Sequence, residues 1–293
     1  MTVLANTITT ADVASALDIE MVSKFDTEFS KLRELMGVYS VERVAAGTAI
    51  YQYSVDGTLP NTAPVDEGEE VPLTKYTVEK KHIGDMTLMP FRKLTTAQAI
   101  LKGGFVGAVL RTDEKMIAQL RNFLVASFTN GLDSTDIATA SATGLQEAIA
   151  LAGAKVLDNM ETNGDAASGL VYFISRTDAA KYLAKAPVTT QNVFGMTYLE
   201  NFLGAERVFI SANIPAGTVY VTAPENIHVY AIDWDALSNS GLDYYVSEDG
   251  LIGVHHEGNY ARTSSETNVL SGVLMYPEVE NYICKATITY TEG

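Results

Sequence analysis

The sequence predicts an α+β fold whose second half is dominated by strands. Three observations carry that expectation. Apolar residues recur three or four apart in long segments bounded by capping or stopping residues, the mark of amphipathic helices. From residue 170 onward, short apolar or alternating runs follow one another between turn residues, as strands do. Before residue 91, two longer alternating runs flank a charged segment that contains prolines.

Taken in order, residues 2–12 show no period and read as an extended arm. Residues 19–36 place Ile19, Val22, Phe25, Phe29, Leu32 and Met36 on one helical face; Gly37 stops the helix and 38–44 alternates loosely as a strand. Ala49, Tyr51, Tyr53 and Val55 alternate up to the Asp56-Gly57 turn. Residues 58–72 hold Pro60, Pro64 and Pro72 and the acidic cluster Asp66, Glu67, Glu69 and Glu70 around Gly68, too polar and too broken to form core. The second extended run, 75–90, sets Tyr76, Val78, Lys80 and His82 against Thr77, Glu79, Lys81 and Ile83, so neither face is cleanly apolar. Together the two runs make a hairpin-like projection that cannot bury both faces within its own chain, a feature that ordinarily lies on a partner.

Thr95 or Thr96 can cap a short helix through Leu101, which Gly103-Gly104 ends or bends. Thr112 caps the strongest helix, striped by Met116, Ile117, Leu120, Phe123, Leu124 and Phe128 and closed by a left-handed Asn130-Gly131, with Arg111, Lys115, Gln119 and Asn122 along its polar side. Thr143 and Gln146 have capping-box spacing and open a helix with Leu145, Ile149, Ala152, Val156, Leu157 and Met160 buried, ending at Asn163-Gly164. Residues 170–174 form a continuous apolar strand, and Thr177 caps a helix that carries Tyr182 and Leu183 and stops before Pro187. Strands are then expected at 207–211, 218–222, 227–232, 244–246, 269–276 and 282–290.

Composition narrows the function. Among 293 residues, 36 Asp and Glu against 20 Lys and Arg give a formal charge of -16, while 47% apolar and 19% charged residues describe a folded chain rather than an acidic tail. Such a surface repels phosphate backbones, which argues against direct DNA or RNA binding. The single Cys284 excludes an intrachain disulfide and a cysteine-pair zinc site, fits a reducing cytoplasm, and reads as a packing residue in an alternating strand. No Lys or Arg precedes Lys24 and no unbroken apolar run opens the chain, so no secretory signal is expected. No run of about 18 apolar residues offers a spanning helix.

Chemistry-bearing motifs are absent from the sequence. Residues 103–107 lack the ending of a phosphate loop, no Gly-x-Ser-x-Gly elbow exists, and no acidic cluster has calcium-loop spacing. His255-His256-Glu257 would be a poor chelator, because strand neighbours point to opposite faces, and reads as a loop or strand edge. Neither catalysis nor a cofactor or metal is expected.

The order of these pieces resembles the major capsid protein family of tailed bacteriophages, the Hong Kong 97-type fold. Ala63-Pro64-Val65-Asp66-Glu67-Gly68-Glu69-Glu70-Val71-Pro72-Leu73-Thr74 is similar to the family's Glu-Gly segment in the extended loop, and 80–100 to the passage from that loop towards the spine helix. Leu203-Gly204-Ala205-Glu206-Arg207-Val208, with Ser211, Ile214-Pro215 and Gly217-Thr218, is similar to the Leu-Gly, strand, Ser, Pro-x-Gly-Thr run of the axial domain, and 269–288 to the closing strands of the peripheral domain.

The resemblance implies an N-terminal arm at 1–45, an extended loop at 46–93, a peripheral domain with the spine helix at 94–140 and 262–293, and an axial domain at 141–261. It implies a structural protein that assembles into pentamers and hexamers of an icosahedral shell around double-stranded DNA, formed in the host bacterial cytoplasm and expanding as the genome enters. Its implied partners are copies of itself, a scaffolding protein and a portal protein, with the need for a decoration protein left open. The arm is too short for a fused scaffolding segment, so a separate one is expected, and the start at Met1 points to an uncleaved arm. Because the extended loop of one subunit crosses its neighbour, Asp66, Glu67, Glu69, Glu70, Lys80 and Lys81 on the loop, and the basic row of Arg111, Lys115 and Arg121, become candidate intersubunit contacts. A covalent link between Lys75, Lys80 or Lys81 and Asn281 is not expected, for want of a matched glutamate. The other readings are a tail-tube or decoration protein and an encapsulin-type compartment shell.

Overall fold

The computed structural model describes residues 10–36, 41–57, 65–71, 73, 75–133, 137–166, 169–184, 191–193, 196–203 and 205–290. In chain order these form α1 (Thr10–Met36), β1 (Val41–Val44), β2 (Ala49–Asp56), β3 (Thr77–Asp85), β4 (Met89–Thr96) and α2 (Ala97–Phe105). A π-helical turn (Val106–Leu110) leads into α3 (Arg111–Gly131). Then come β5 (Ala138–Ala142), α4 (Leu145–Asn163), β6 (Val171–Ser175), α5 (Arg176–Leu183), β7 (Gln191–Val193), β8 (Met196–Phe202), β9 (Ala205–Ser211), β10 (Thr218–Thr222) and β11 (Ile227–Ile232). Last are α6 (Asp235–Ser238), β12 (Tyr245–Val246), β13 (Ile252–Asn259), β14 (Ser264–Ser271), β15 (Val273–Pro277) and β16 (Ile283–Ile288).

The largest sheet runs β5-β16-β10-β6-β9-β8-β7, with β5–β16 and β6–β9 parallel and its other pairs antiparallel. Strand alternation gives it two buried faces: Tyr172, Ile174, Val208 and Val221 pack under Leu145, Ile149, Val156 and Met160 of α4, whereas Phe173, Phe209 and Tyr220 turn to the opposite side. On that side lie α1, α3 and the sheet β12-β13-β14-β4, which meet through Phe25, Phe29, Leu32, Leu120, Leu124, Phe128, Leu251 and Val254. A three-stranded sheet, β1-β11-β15, and the two-stranded ribbon β2-β3 complete the architecture.

Several expectations change. The helix begins at Thr10, so 10–12 are helical rather than part of an extended arm, while residues 2–9 and 37–40 lie outside the described residues. Its buried stripe passes through Asp18, Met21, Val22, Phe25, Phe29 and Leu32, which leaves Ile19 exposed. Thr112 does not cap α3, because the chain enters α3 already helical; its hydroxyl instead donates to the Ala108 and Val109 carbonyls. Gly131 is helical and the exit at Leu132 is right-handed. Phe123 and Leu157 fall off their buried stripes and are exposed.

At the start of α4 it is Glu147, not Gln146, that accepts from the Thr143 amide and hydroxyl, at 2.7 and 2.6 Å. Ser175 rather than Thr177 caps α5, accepting from the Asp178 amide. The run 75–90 breaks where Met86 plunges into the core, and its last residues start β4 in a different sheet. Likewise 269–276 is two strands that part at Gly272 and join separate sheets. Strands β5, β7, β8 and β13 are additional, and the last carries His255-His256 inside a sheet. Cys284 is buried, and burial pushes its thiol up to about 11.

Candidate intersubunit surface

Strands β2 and β3 pair antiparallel with Tyr51 opposite His82, Tyr53 opposite Lys80 and Val55 opposite Val78. Residues directly opposite point to the same side, so the pairing gathers Tyr51, Tyr53, Val55 and Val78 on one face, with Lys80 laid over the Tyr51 ring at 3.7 Å. The expectation that neither face of the second run is cleanly apolar holds for β3, and it is β2 that brings the aromatic residues to the shared face. That face is uncovered: Tyr53, Val55 and Val78 are each more than 60% exposed.

The root, by contrast, is fixed. Ile50 and Met86 are buried with Ile232, Trp234 and Leu270. The Gly47 amide donates to the Met86 carbonyl at 2.8 Å, and the Lys81 ammonium meets the Glu280 carboxylate at 2.7 Å. At the far end Asp66, Glu67, Glu69 and Glu70 are all exposed around a turn in which the Glu69 amide donates to the Asp66 carbonyl, beside exposed Val71 and Leu73. Residues 58–64 of the connecting segment lie outside the described residues.

A second uncovered surface lies at α2 and the start of α3. Thr96 caps α2 by accepting from the Ala99 amide, and Gly104, at φ 72°, breaks its helical path, yet none of its residues is buried. Leu101 and Val106 are exposed, as are the cations of Lys102, Arg111 and Lys115. Arg121 stands apart from that row, half-buried where α3 faces α1. Lys80 and Lys81 are each engaged within the chain.

The sequence reading missed a charged cluster beneath α1. His256 Nδ1 faces Asp18 of α1 at 2.5 Å and Nε2 faces Asp113 of α3 at 3.3 Å, with all three side chains buried. Asp113 also bonds Lys93 of β4 and accepts from the Thr267 hydroxyl at 3.0 Å. Burial disfavours the imidazolium, but the bonds and charges of Asp113 and Asp18 outweigh it and push His256 up to about 9. For Asp113, burial favours the acid form, yet His256 and Lys93 hold it below the usual carboxylate range. The signal was present: Asp18 and Asp113 fall in register with the apolar stripes of their helices, where a carboxylate needs a partner. On the opposite face of the sheet, Arg92 pairs with Glu266, which also accepts from Asn259 at 2.8 Å.

Among the described residues no group of His, Cys, Asp and Glu is placed to hold a metal ion, and no helix is long and apolar enough to cross a membrane. No protein-family model matches the chain and no curated protein matches its sequence. Solved structures do resemble it. The capsid asymmetric unit of cyanophage A-1(L) aligns with a TM-score of 0.56 at 12% identity, over 99% of this chain and 96% of that one. The capsid of cyanophage P-SCSP1u aligns with a TM-score of 0.56 at 10% identity, over 86% and 87%. The holo-SrpI encapsulin complex of Synechococcus elongatus PCC 7942 aligns with a TM-score of 0.52 at 8% identity, over 89% and 90%. At such identities the likeness speaks for the fold, and with the element order and the ribbon it gives the conclusion that this chain has the Hong Kong 97-type capsid fold.

Proposed function

We propose that the chain is the major capsid protein of a tailed bacteriophage, assembling through its ribbon into pentamers and hexamers of an icosahedral shell around double-stranded DNA. The observation that carries this reading is the apolar face of Tyr51, Tyr53, Val55 and Val78, held out on a fixed root with nothing of its own chain to cover it. Exposed apolar area of this kind marks a surface that another molecule covers, and the fold supplies a second copy as that molecule. The acidic tip Asp66, Glu67, Glu69 and Glu70 would then meet the exposed cations of Arg111 and Lys115 on a neighbour, with Arg121 deeper behind them. Each exposed pair contributes only about 0 to 1 kcal/mol, so such contacts set register while the apolar face supplies strength. Modest contacts suffice, because a closed shell engages many at once.

On this reading residues 94–140 and 262–293 form the peripheral domain and 141–261 the axial domain. A separate scaffolding protein and a portal are its partners, and the shell forms in the host cytoplasm. The charge of -16 suits a container that must not hold packed phosphates tightly. The likeness to an encapsulin favours a second reading, a cytosolic compartment that loads protein cargo.

Electron microscopy of the purified protein, expressed with and without a co-encoded scaffolding candidate, tests the first reading. Closed shells of uniform diameter are expected. Monomers or open tubes under both conditions would overturn the shell reading, and shells that copurify with protein cargo in place of DNA-packaging partners would favour the compartment.

A further inference from the structure

We infer that Asp18, His256, Asp113 and Lys93 form a protonation-gated clasp that holds the N-terminal half of α1 onto α3 and the sheet of β4, β13 and β14. The geometry carries this. Four side chains from four elements converge beneath α1, two acidic and two basic, so the set is neutral only when His256 is an imidazolium. Removing that proton leaves two carboxylates facing one ammonium in a buried site, an arrangement a protein interior does not hold without loss. Among the described side chains of α1, Asp18 is the buried one nearest the N-terminus, whereas Phe25, Phe29 and Leu32 anchor the other half by apolar contact and Asp26 accepts from the Glu248 amide at 3.0 Å. Opening the clasp therefore frees 10–21 and leaves 25–36 in place.

The surroundings limit what else could gate it. From α1, Glu20 and Lys24 face the cluster, and from α3, Glu114 and Arg121; these line a cavity of about 320 Å³ that reaches His256 and Asp113. Strand β14 presents the Thr267 hydroxyl and β4 presents Lys93. His255 lies on the other face of β13 beside Tyr244, and Glu266 is engaged there by Arg92. The cavity admits solvent, so the imidazole can exchange its proton without global unfolding.

His256 is raised from 6.5 to about 9 when the clasp is closed. Below pH 6.5 the ring is charged whether α1 is on or off, and the clasp contributes in full. With α1 lifted the ring loses Asp18 but keeps Asp113 of α3, so it titrates between 6.5 and about 9; from there up to about 9 lifting releases a proton and becomes easier by up to about tenfold per pH unit, and above about 9 nothing further is lost.

Hydrogen–deuterium exchange of the full chain, corrected for the intrinsic pH dependence of exchange and followed peptide by peptide from about pH 6 to about pH 10.5, reads this directly. The opening constant of 10–21 is expected to climb through that window and level off, while 25–36 and α4 stay flat. His256→Gln should leave 10–21 open throughout and abolish the climb. If His256→Gln does not fold, Asp18→Asn should move the climb to lower pH. A pH-independent 10–21 in the wild-type protein, a climb that persists in His256→Gln, or one unmoved in Asp18→Asn would overturn the clasp.

Discussion

Gly272 shows how much one side chain of no size can decide. It is the residue at which the chain leaves β14 in one sheet and enters β15 in another, and a Cβ there would lie 2.4 Å from Ile232 Cγ2 and 3.0 Å from the Thr87 carbonyl oxygen. One of those neighbours is backbone and the other a β-branched side chain with no relative exposure, so neither can step aside. Gly272→Ala is expected to cost about 1–3 kcal/mol, read as a lowered thermal midpoint; an unchanged midpoint would mean the two sheets are not rigidly joined there. At the same scale, Asp113 contributes stability that is present above the ordinary carboxylate pKa and lost as acid titrates it through its depressed value, so Asp113→Asn should flatten the acid limb of the stability curve. These roles were hidden in the sequence because the partners are remote: Asp18 and His256 are 238 positions apart and Asp113 and His256 are 143 apart. The carboxylates in apolar register announced that partners exist, but only the fold names them.

Among elements, those that fold by local rules were legible and those imposed by their neighbours were not. Helices α3 and α4 and strands β6, β10 and β11 carry their own periodicity or apolar runs, and Gly164 ends α4 in the left-handed conformation its Asn-Gly pair suggests. Strand β5, written Ala-Thr-Ala-Ser-Ala, has no β-propensity to speak of and exists because β16 pairs with it and α4 lies over it. Strand β13 looks irregular because its first residues are buried beneath α1 while its last are exposed. The ribbon is the intermediate case: both strands were visible, but their shared apolar face depends on a register with a bulge between Ile50 and Tyr51. Replacing Tyr53 and Val78 together by Asp should leave the unassembled protein's thermal midpoint nearly unchanged, since exposed substitutions usually cost within about 0.5 kcal/mol each, and should abolish assembly seen by light scattering. Intact shells from that variant would show that the ribbon's apolar face is not an interface.

For the whole molecule, two electrostatic effects oppose each other on assembly. Subunits of charge -16 repel at long range, while an acidic tip and a basic row attract at contact. Salt screens both beyond a Debye length of about 10 Å at 0.1 M. If the apolar face dominates the contact, raising salt from about 0.05 to about 0.5 M removes more repulsion than attraction and lowers the protein concentration at which shells appear. A rise in that concentration would put the charged contacts in control. The seven-stranded sheet carries a consequence of another kind. Its second strand is β16, which pairs with the edge strand β5 on one side and with β10 on the other, so the strand translated after every other described element joins β5 to the rest of the sheet. A nascent chain still lacking residues 283–288 has α4 and β6 in hand but an open seam between β5 and β10. This layer therefore closes only once residues 283–288 are made and free to pair, and until then β5 and β10 keep open edges that another chain could pair with.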